Sequence, residues 1–354
     1  MKINKYISIN DRAIGADYPP YVIGEVSANH NGDFERAVKI MEVAKRCGCD
    51  AVKLQTYTPD TITIDCDKPD FRINGGLWDK RSLYDLYSEA HLPWEWHKPL
   101  FDEARRLGLT IFSSPFDKTA VDLLEDLGVP AYKIASFEAI DIPLIEYVAT
   151  TGKPMIISTG MADALEIEEA VTAARDSGCK DLILLHCVSG YPAPIEDYNL
   201  ATLSDLEKRF NTLVGLSDHT IDNTAAIVSI GFGACVIEKH ITLDRSDGGP
   251  DDSFSLEESD LVALCQDVKK AWRAVGRVNY ERKQSESDSL IFRRSLYAVK
   301  DISAGEEISI DNVRSIRPGY GLKPKHLKEI LGKTAKVKIE RGDKLEWRLL
   351  DGLE

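Results

Sequence analysis

The sequence predicts a (β/α)8 barrel followed by a small β-rich domain, and three observations carry that expectation. Eight short β-branched runs alternate with amphipathic stretches of helical period. Eight such units fill the roughly 250 residues usual for this barrel. A doubly wound sheet would place a Gly-rich G-x-G-x-x-G turn after its first strand; here that position reads SANHNGD.

The strands are expected at 21–27 (YVIGEVS), 51–55 (AVKLQ), 110–113 (TIFS), 131–135 (AYKIA), 154–159 (PMIIST), 181–187 (DLILLHC), 213–217 (LVGLS) and 234–239 (ACVIEK). Helical patterns fall between them at 34–46, 97–107, 119–127, 165–177, 202–210 and 223–232, and a last one follows at 257–275. Gly48, Gly108, Gly128, Gly152 and Gly178 stand where helices should stop, because a residue without Cβ enters the left-handed C-cap conformation freely. Residues 57–95 break the rhythm as a long insertion rich in Asp, Gly, Trp and Tyr, expected to lack regular structure and so to serve function. The barrel is assigned to 1–280 and a polar linker (ERKQSESDS at its start) to 281–292. The β-rich domain is assigned to 293–354, with a Pro318–Gly319 turn, too small to carry the chemistry alone.

Of the 354 residues, 43% are hydrophobic, which is ample for a large core. The start MKINKYISIN lacks the apolar run of a signal peptide, and no stretch approaches the roughly 18 apolar residues that cross a bilayer. Seven scattered cysteines without a C-x-x-C pair read as free thiols in a reducing compartment, so a cytoplasmic protein without a membrane partner is expected. A net charge of −14 with no basic face excludes nucleic acid as a partner. Any anionic ligand must be small and held by a few convergent groups.

In this barrel the working residues sit at the C-terminal strand ends. There the chain offers Glu25, Lys53, Gln55, Ser114, Lys133, Ser136, Glu138, Ser158, Ser189, Tyr191, Ser217, His219, Glu238 and His240. Buried parallel strands ordinarily read as unbroken Val, Ile and Leu. Lys53, Lys133 and Glu238 interrupt that pattern, and buried charges need partners or ligands. Two constellations separate. Lys53 and Lys133 with the hydroxyls of Ser114, Ser136, Ser158 and Ser217 suit a small phosphorylated or carboxylated substrate. His219 and His240, with Glu25 and Asp251 as oxygen donors or proton handlers, suit a transition metal.

The residues resemble the sialic acid (N-acetylneuraminate-type) synthases along nearly the whole chain. The resemblance runs through Glu25 with Asn29-His30-Asn31-Gly32, Lys53-Leu-Gln55-Thr56, Phe112-Ser-Ser-Pro115-Phe116 and Tyr132-Lys-Ile-Ala-Ser136. It continues through Ser158-Thr-Gly-Met161, Tyr191-Pro-Ala-Pro194, Gly215-Leu-Ser-Asp-His-Thr220 and Glu238-Lys-His240, and ends in a unit with Arg317-Pro-Gly319 similar to the antifreeze-like (SAF) domain. It implies an enzyme joining phosphoenolpyruvate to an amino-sugar aldehyde, with phosphate lost by C–O cleavage. Lys53, Lys133, Ser114, Ser136, Ser158 and Ser217 would hold phosphoenolpyruvate. His219 and His240 would bind Mn2+ or Mg2+, with Co2+ a further candidate, to polarise the aldehyde. Glu25, or else Glu138, would handle the water. Gln55, Ser189, Tyr191 and Asp251 would contact the sugar, and Arg317 would reach the sugar pocket of a partner subunit in a homodimer.

Gly76-Leu-Trp-Asp-Lys-Arg-Ser-Leu-Tyr84, Pro93-Trp-Glu-Trp96 and Phe292-Arg-Arg-Ser-Leu-Tyr297 are most similar to the pseudaminic acid synthase subgroup, which implies a 2,4-diacetamido-2,4,6-trideoxy altrose as the sugar. His186-Cys187 and Gly249-Pro250-Asp251 are closer to the general sialic pattern, leaving neuraminate or legionaminate synthesis as the alternative. A Schiff-base aldolase using Lys53 or Lys133 would give the histidine pair no task. An ice-binding surface would want threonines, of which 293–350 has one.

Overall fold

The structure, a computed structural model, describes residues 6–352. It divides into two compact units, one up to Gly276 and one from Arg277.

The first unit opens with a hairpin, β1 (Ile7–Ile9) and β2 (Arg12–Ile14). Asn10 and Asp11 make its turn, both at positive φ (48° and 64°), as a two-residue hairpin loop demands. Arg12 holds Asp50, at the foot of the second barrel strand, at 3.1 Å, and Asn10 donates to Thr110 at the foot of the third. With Ile9 and Ile14 fully buried, the hairpin plugs the N-terminal end of the barrel. The sequence reading did not find it, because three-residue strands carry too little alternation to register.

The barrel itself is closed and parallel. Its strands are β3 (Tyr21–Glu25), β4 (Ala51–Thr56), β5 (Thr110–Pro115), β6 (Tyr132–Ile134), β7 (Met155–Ser158), β8 (Leu182–Cys187), β9 (Leu213–Asp218) and β10 (Val236–His240), and β10 pairs back onto β3. All eight expected strands are present. Gly215 in β9 shows how closely the wall packs: a Cβ there would stand 2.4 Å from the Val236 carbonyl oxygen.

Outside the barrel run α1 (Phe34–Cys47), α2 (Pro59–Ile62), α3 (Leu83–Ala90), α4 (Trp94–Leu107), α5 (Lys118–Asp126), α6 (Ile142–Ala149), α7 (Ala164–Asp176), α8 (Thr202–Phe210), α9 (Thr224–Ile230) and α10 (Glu258–Val275). The helix α1 shows the end chemistry that makes such boundaries readable. The Asp33 carboxylate accepts the backbone N–H groups of Glu35 and Arg36, and Gly48 closes the helix at φ 94°. Gly152 is an exception, since α6 ends at Ala149 and Gly152 lies in the turn beyond it.

The insertion departs from expectation, because it is not structureless. Ser82 accepts the Asp85 N–H and starts α3, and α4 begins at Trp94. Among the described residues no helix is long and apolar enough to cross a membrane.

In the second unit, β11 (Ser295–Ala298) and β12 (Val313–Ile316) pair antiparallel, followed by α11 (Leu327–Ile330). Its separate core is built on Leu296, Ile302, Ile308, Ile330, Ile339 and Leu345. The residues expected as a bare linker belong to this unit, where Gln284–Phe292 form a 3-10 helix.

Candidate active site

Strand register assembles the site. His240 pairs with Glu25, Glu25 with Lys53, and Gln55 with Ser114. Ser217 pairs with Glu238. Side chains alternate along a strand, so Glu238 and His240 share the inner face, as do Lys53 and Gln55. Lys239 points the other way and is buried outside the barrel wall, donating to Asp218 (2.9 Å) and to the Thr220 carbonyl (2.7 Å).

These residues line a cavity of about 320 Å³ at the strand ends. Of the residues named from sequence, Glu25, Lys53, Gln55, Lys133, Ser136, Glu138, Ser158, Tyr191, Ser217, His219, His240 and Asp251 face it. Ser114 stands one step back, accepting from Lys53 Nζ at 3.3 Å. The Ser189 hydroxyl is buried behind Gly160, whose close approach leaves no room for a Cβ, 2.3 Å from that oxygen. Arg317 belongs to the second unit, with its guanidinium 5.9 Å from the Phe292 ring centroid.

At the floor, Lys53 Nζ lies 2.7 Å from Glu25 Oε2 and 3.7 Å from Glu238 Oε1, and Lys133 Nζ lies 3.5 Å from the same Glu238 oxygen. All four side chains are at most 5% exposed. The lysines are therefore not the open cationic pair read from the sequence. Glu238, singled out there only as an interruption of an apolar strand, sits between them, and Glu25 belongs to this cluster instead of to the histidines.

Burial works against every charge here, and the neighbours decide the outcome. For Glu238 the desolvation that would raise its pKa is overcome by Lys133 and Lys53, which hold the carboxyl below its usual range. Burial would likewise lower Lys53, but Glu238 and Glu25 hold it up. Lys133 has less support, and burial leaves it below the ordinary lysine range. Glu25, wholly buried, is pushed up despite Lys53.

Next to this cluster, the His219 and His240 rings stand 5.3 Å apart by centroids. His219 Nδ1 lies 2.9 Å from the Val188 carbonyl oxygen and donates its proton there; burial lowers the imidazole pKa, but Cys187, this carbonyl and Glu238 outweigh it and hold it above its usual range. His240 Nδ1 is buried without a hydrogen-bond partner, 3.9 Å from Asp251 Oδ2. Burial drives His240 well below the usual imidazole range, which keeps it neutral. Among the described residues no group of three or more His, Cys, Asp or Glu is placed to hold a metal.

Asp251 is set by its neighbour. Asp252, with its side chain fully buried, accepts from Asn31 (2.9 Å), from Arg36 (3.3 Å) and from Thr242, tying the loop after β10 to the loop after β3. Asp251 then accepts from Ser27, which also receives Gln55 at 2.9 Å. Glu138 reaches the cavity from the turn after β6, with Oε2 buried and unpartnered; burial pushes its carboxyl up to about 7.

The insertion is expected from the sequence to serve function, but the sequence does not say which of its residues reach the site. Ile62, Trp78, Leu86, Tyr87 and Ala90 from the insertion line the cavity. Trp78 donates to the Pro250 carbonyl at 3.1 Å and packs on Tyr191 with centroids 5.8 Å apart. Trp96 of the Pro93–Trp96 motif does otherwise, packing edge-on against His30 and Phe34.

The fold and the site define a barrel enzyme with its polar groups at the C-terminal mouth and a small separate unit behind it in sequence. Residues 40–280 match the NeuB family and residues 293–350 the SAF domain. The chain is 44% identical to the pseudaminic acid synthase of Campylobacter jejuni over 330 residues, covering 93% of this chain and 96% of that one. It is 37% identical over 318 residues to the N,N'-diacetyllegionaminic acid synthase of Campylobacter jejuni, covering 89% and 95%. The crystal structure of an N-acetylneuraminic acid synthetase from Leptospira borgpetersenii superposes with a TM-score of 0.73 at 28% identity, covering 82% of this chain and 97% of that one. The chain belongs to the NeuB family.

Replacing Glu238 by Ala leaves two buried ammonium groups without their shared partner, a change that typically costs ~3–5 kcal/mol. Urea denaturation of Glu238→Ala is expected to show a loss of that order; a loss below about 0.5 kcal/mol would mean that the lysines find other compensation.

Proposed function

We propose that this chain condenses phosphoenolpyruvate with 2,4-diacetamido-2,4,6-trideoxy altrose and water, giving pseudaminic acid and inorganic phosphate. The observation that supports it most is the gathering in one cavity of two lysines, a row of serine hydroxyls, a histidine pair and two further carboxylates, Glu138 and Asp251. Lys53 and Lys133, with Ser114, Ser136, Ser158 and Ser217, hold the phosphate and carboxylate of phosphoenolpyruvate. The unpartnered Ser158 hydroxyl is a donor that such a ligand satisfies.

C3 of the enol ether attacks the sugar aldehyde, whose oxygen takes a proton. Water adds at C2 and loses a proton, and the C2–O bond to phosphate breaks. Glu138 is the better proton acceptor of the two carboxylates named for this step, since it has a free oxygen and an acidity near neutrality, whereas Glu25 is held by Lys53 and Gln55. Glu25 positions the reactants. Gln55, Tyr191 and Asp251 bind the sugar, with Ser189 behind them.

The residues fit a divalent ion, Mn2+ or Mg2+ or else Co2+. The His240 nitrogen left without a partner and Nε2 of His219, once deprotonated, would be its protein donors, and two imidazoles leave positions for water and substrate. Bound there, such an ion supplies Lewis acidity toward a carbonyl oxygen. The proposal includes a cytoplasmic homodimer in which Arg317 of one subunit completes the other's sugar site. Exposed Phe137, Ile140 and Met161 on the turns after β6 and β7, with Leu165 in the first turn of α7, support a covering partner at the mouth. Legionaminate synthesis is the second reading, favoured by the 37% identity to such an enzyme.

Phosphate release from phosphoenolpyruvate, measured with each candidate sugar in turn, decides between them: release with the altrose is expected, and release only with N-acetylmannosamine or the legionaminate precursor would contradict it. A carboxyl raised to about 7 is protonated, and idle as a base, below that pH, so activity is expected to climb as pH rises through about 7. Glu138→Gln is expected to lower kcat by roughly 100-fold or more and to remove that limb from the pH profile; an unchanged profile would assign the base elsewhere.

A further inference from the structure

The cavity is sorted into two kinds of wall. Its charged groups come from the strand ends, while the insertion contributes Ile62, Trp78, Leu86, Tyr87 and Ala90, none of them charged. Leu86 and Ala90, one helical turn apart on α3, face the cavity together with Tyr87. Tyr57 lines the cavity beside them, with its ring 5.7 Å from Tyr87 and 5.1 Å from Phe116 by centroids. Leu86 and Tyr57 are buried, so this wall is packed in place and not a loose flap. Its far edge is fastened by the Trp78 bond to Pro250, beside Asp251.

Such a wall is a poor seat for a hydroxyl. A sugar hydroxyl pressed against Ile62, Leu86 and Ala90 would give up its bonds to water and find no aliphatic partner, whereas a methyl group loses nothing there. We infer that the α2–α3 wall, centred on Leu86 and Ala90, seats a methyl-terminated substituent of the amino sugar and sets which sugar this enzyme accepts. The inference rests on the activity proposed above and adds to it the residues that choose the substrate. Three substituents of that sugar end in a methyl group, the 2- and 4-acetamido groups and the 6-deoxy carbon.

The test compares wild type with Leu86→Ala, which removes the floor of the seat, and Ala90→Leu, which fills it without disfavouring the helix. Phosphate release is followed with the diacetamido trideoxy sugar and with its 2-hydroxy, 4-hydroxy and 6-hydroxy analogues. A methylene gained or lost in an apolar seat is worth about 10- to 200-fold in discrimination. Each variant is therefore expected to raise the KM for the full sugar by about tenfold or more, with the KM for phosphoenolpyruvate within about twofold of wild type. The analogue that lacks the seated methyl is expected to show no further loss on Leu86→Ala, which identifies the substituent. Unchanged sugar KM in Ala90→Leu, or equal losses with all four sugars, would overturn the inference while leaving the activity standing. Absence of phosphate release by wild type with any of them would overturn both.

Discussion

The site depends on one constraint: two lysines and two carboxylates buried together at the floor of a barrel. Neither a lone lysine nor a lone glutamate could stay charged at that depth, since desolvation opposes both. Glu238 resolves the problem by reaching both ammonium groups, and Glu25 takes the open side of Lys53. The arrangement keeps Lys53 charged before any ligand arrives. It also means that an anionic ligand enters a cluster already partly compensated in charge, so hydroxyl donors must add to what the lysines supply.

From that floor the geometry works outward through loops that are fastened to one another. The Arg36–Asp252–Asn31 network joins the loops after β3 and β10, and Asp251 inherits its position from it. Trp78 then ties the insertion to Pro250, one residue before Asp251. A mouth made of long connections is thus fastened by a few polar contacts, which keeps its groups in one geometry.

The barrel was legible because its signals are local and repeated. Eight β-branched runs and glycines at helix ends such as Gly48 and Gly108 each speak for themselves. The N-terminal hairpin was not legible, because its strands are too short to show a period. The strand-end residues could be named from the sequence, since charges inside apolar strands are conspicuous. Their pairing could not, because register between strands is a tertiary property. That is why Glu25 was placed with the histidines and Glu238 was given no task. The apolar wall of α3 was hidden for a related reason: Leu86 and Ala90 look like any amphipathic helix until the surface they face is known to be a cavity.

The central claim, that this cavity breaks the C–O bond of phosphoenolpyruvate while joining it to an amino-sugar aldehyde, is tested most directly with phosphoenolpyruvate carrying 18O at the bridging oxygen. The label is expected in the released phosphate when the sugar is present, with no release when it is absent. Label retained in the keto-acid product, or phosphate released without sugar, would contradict the account.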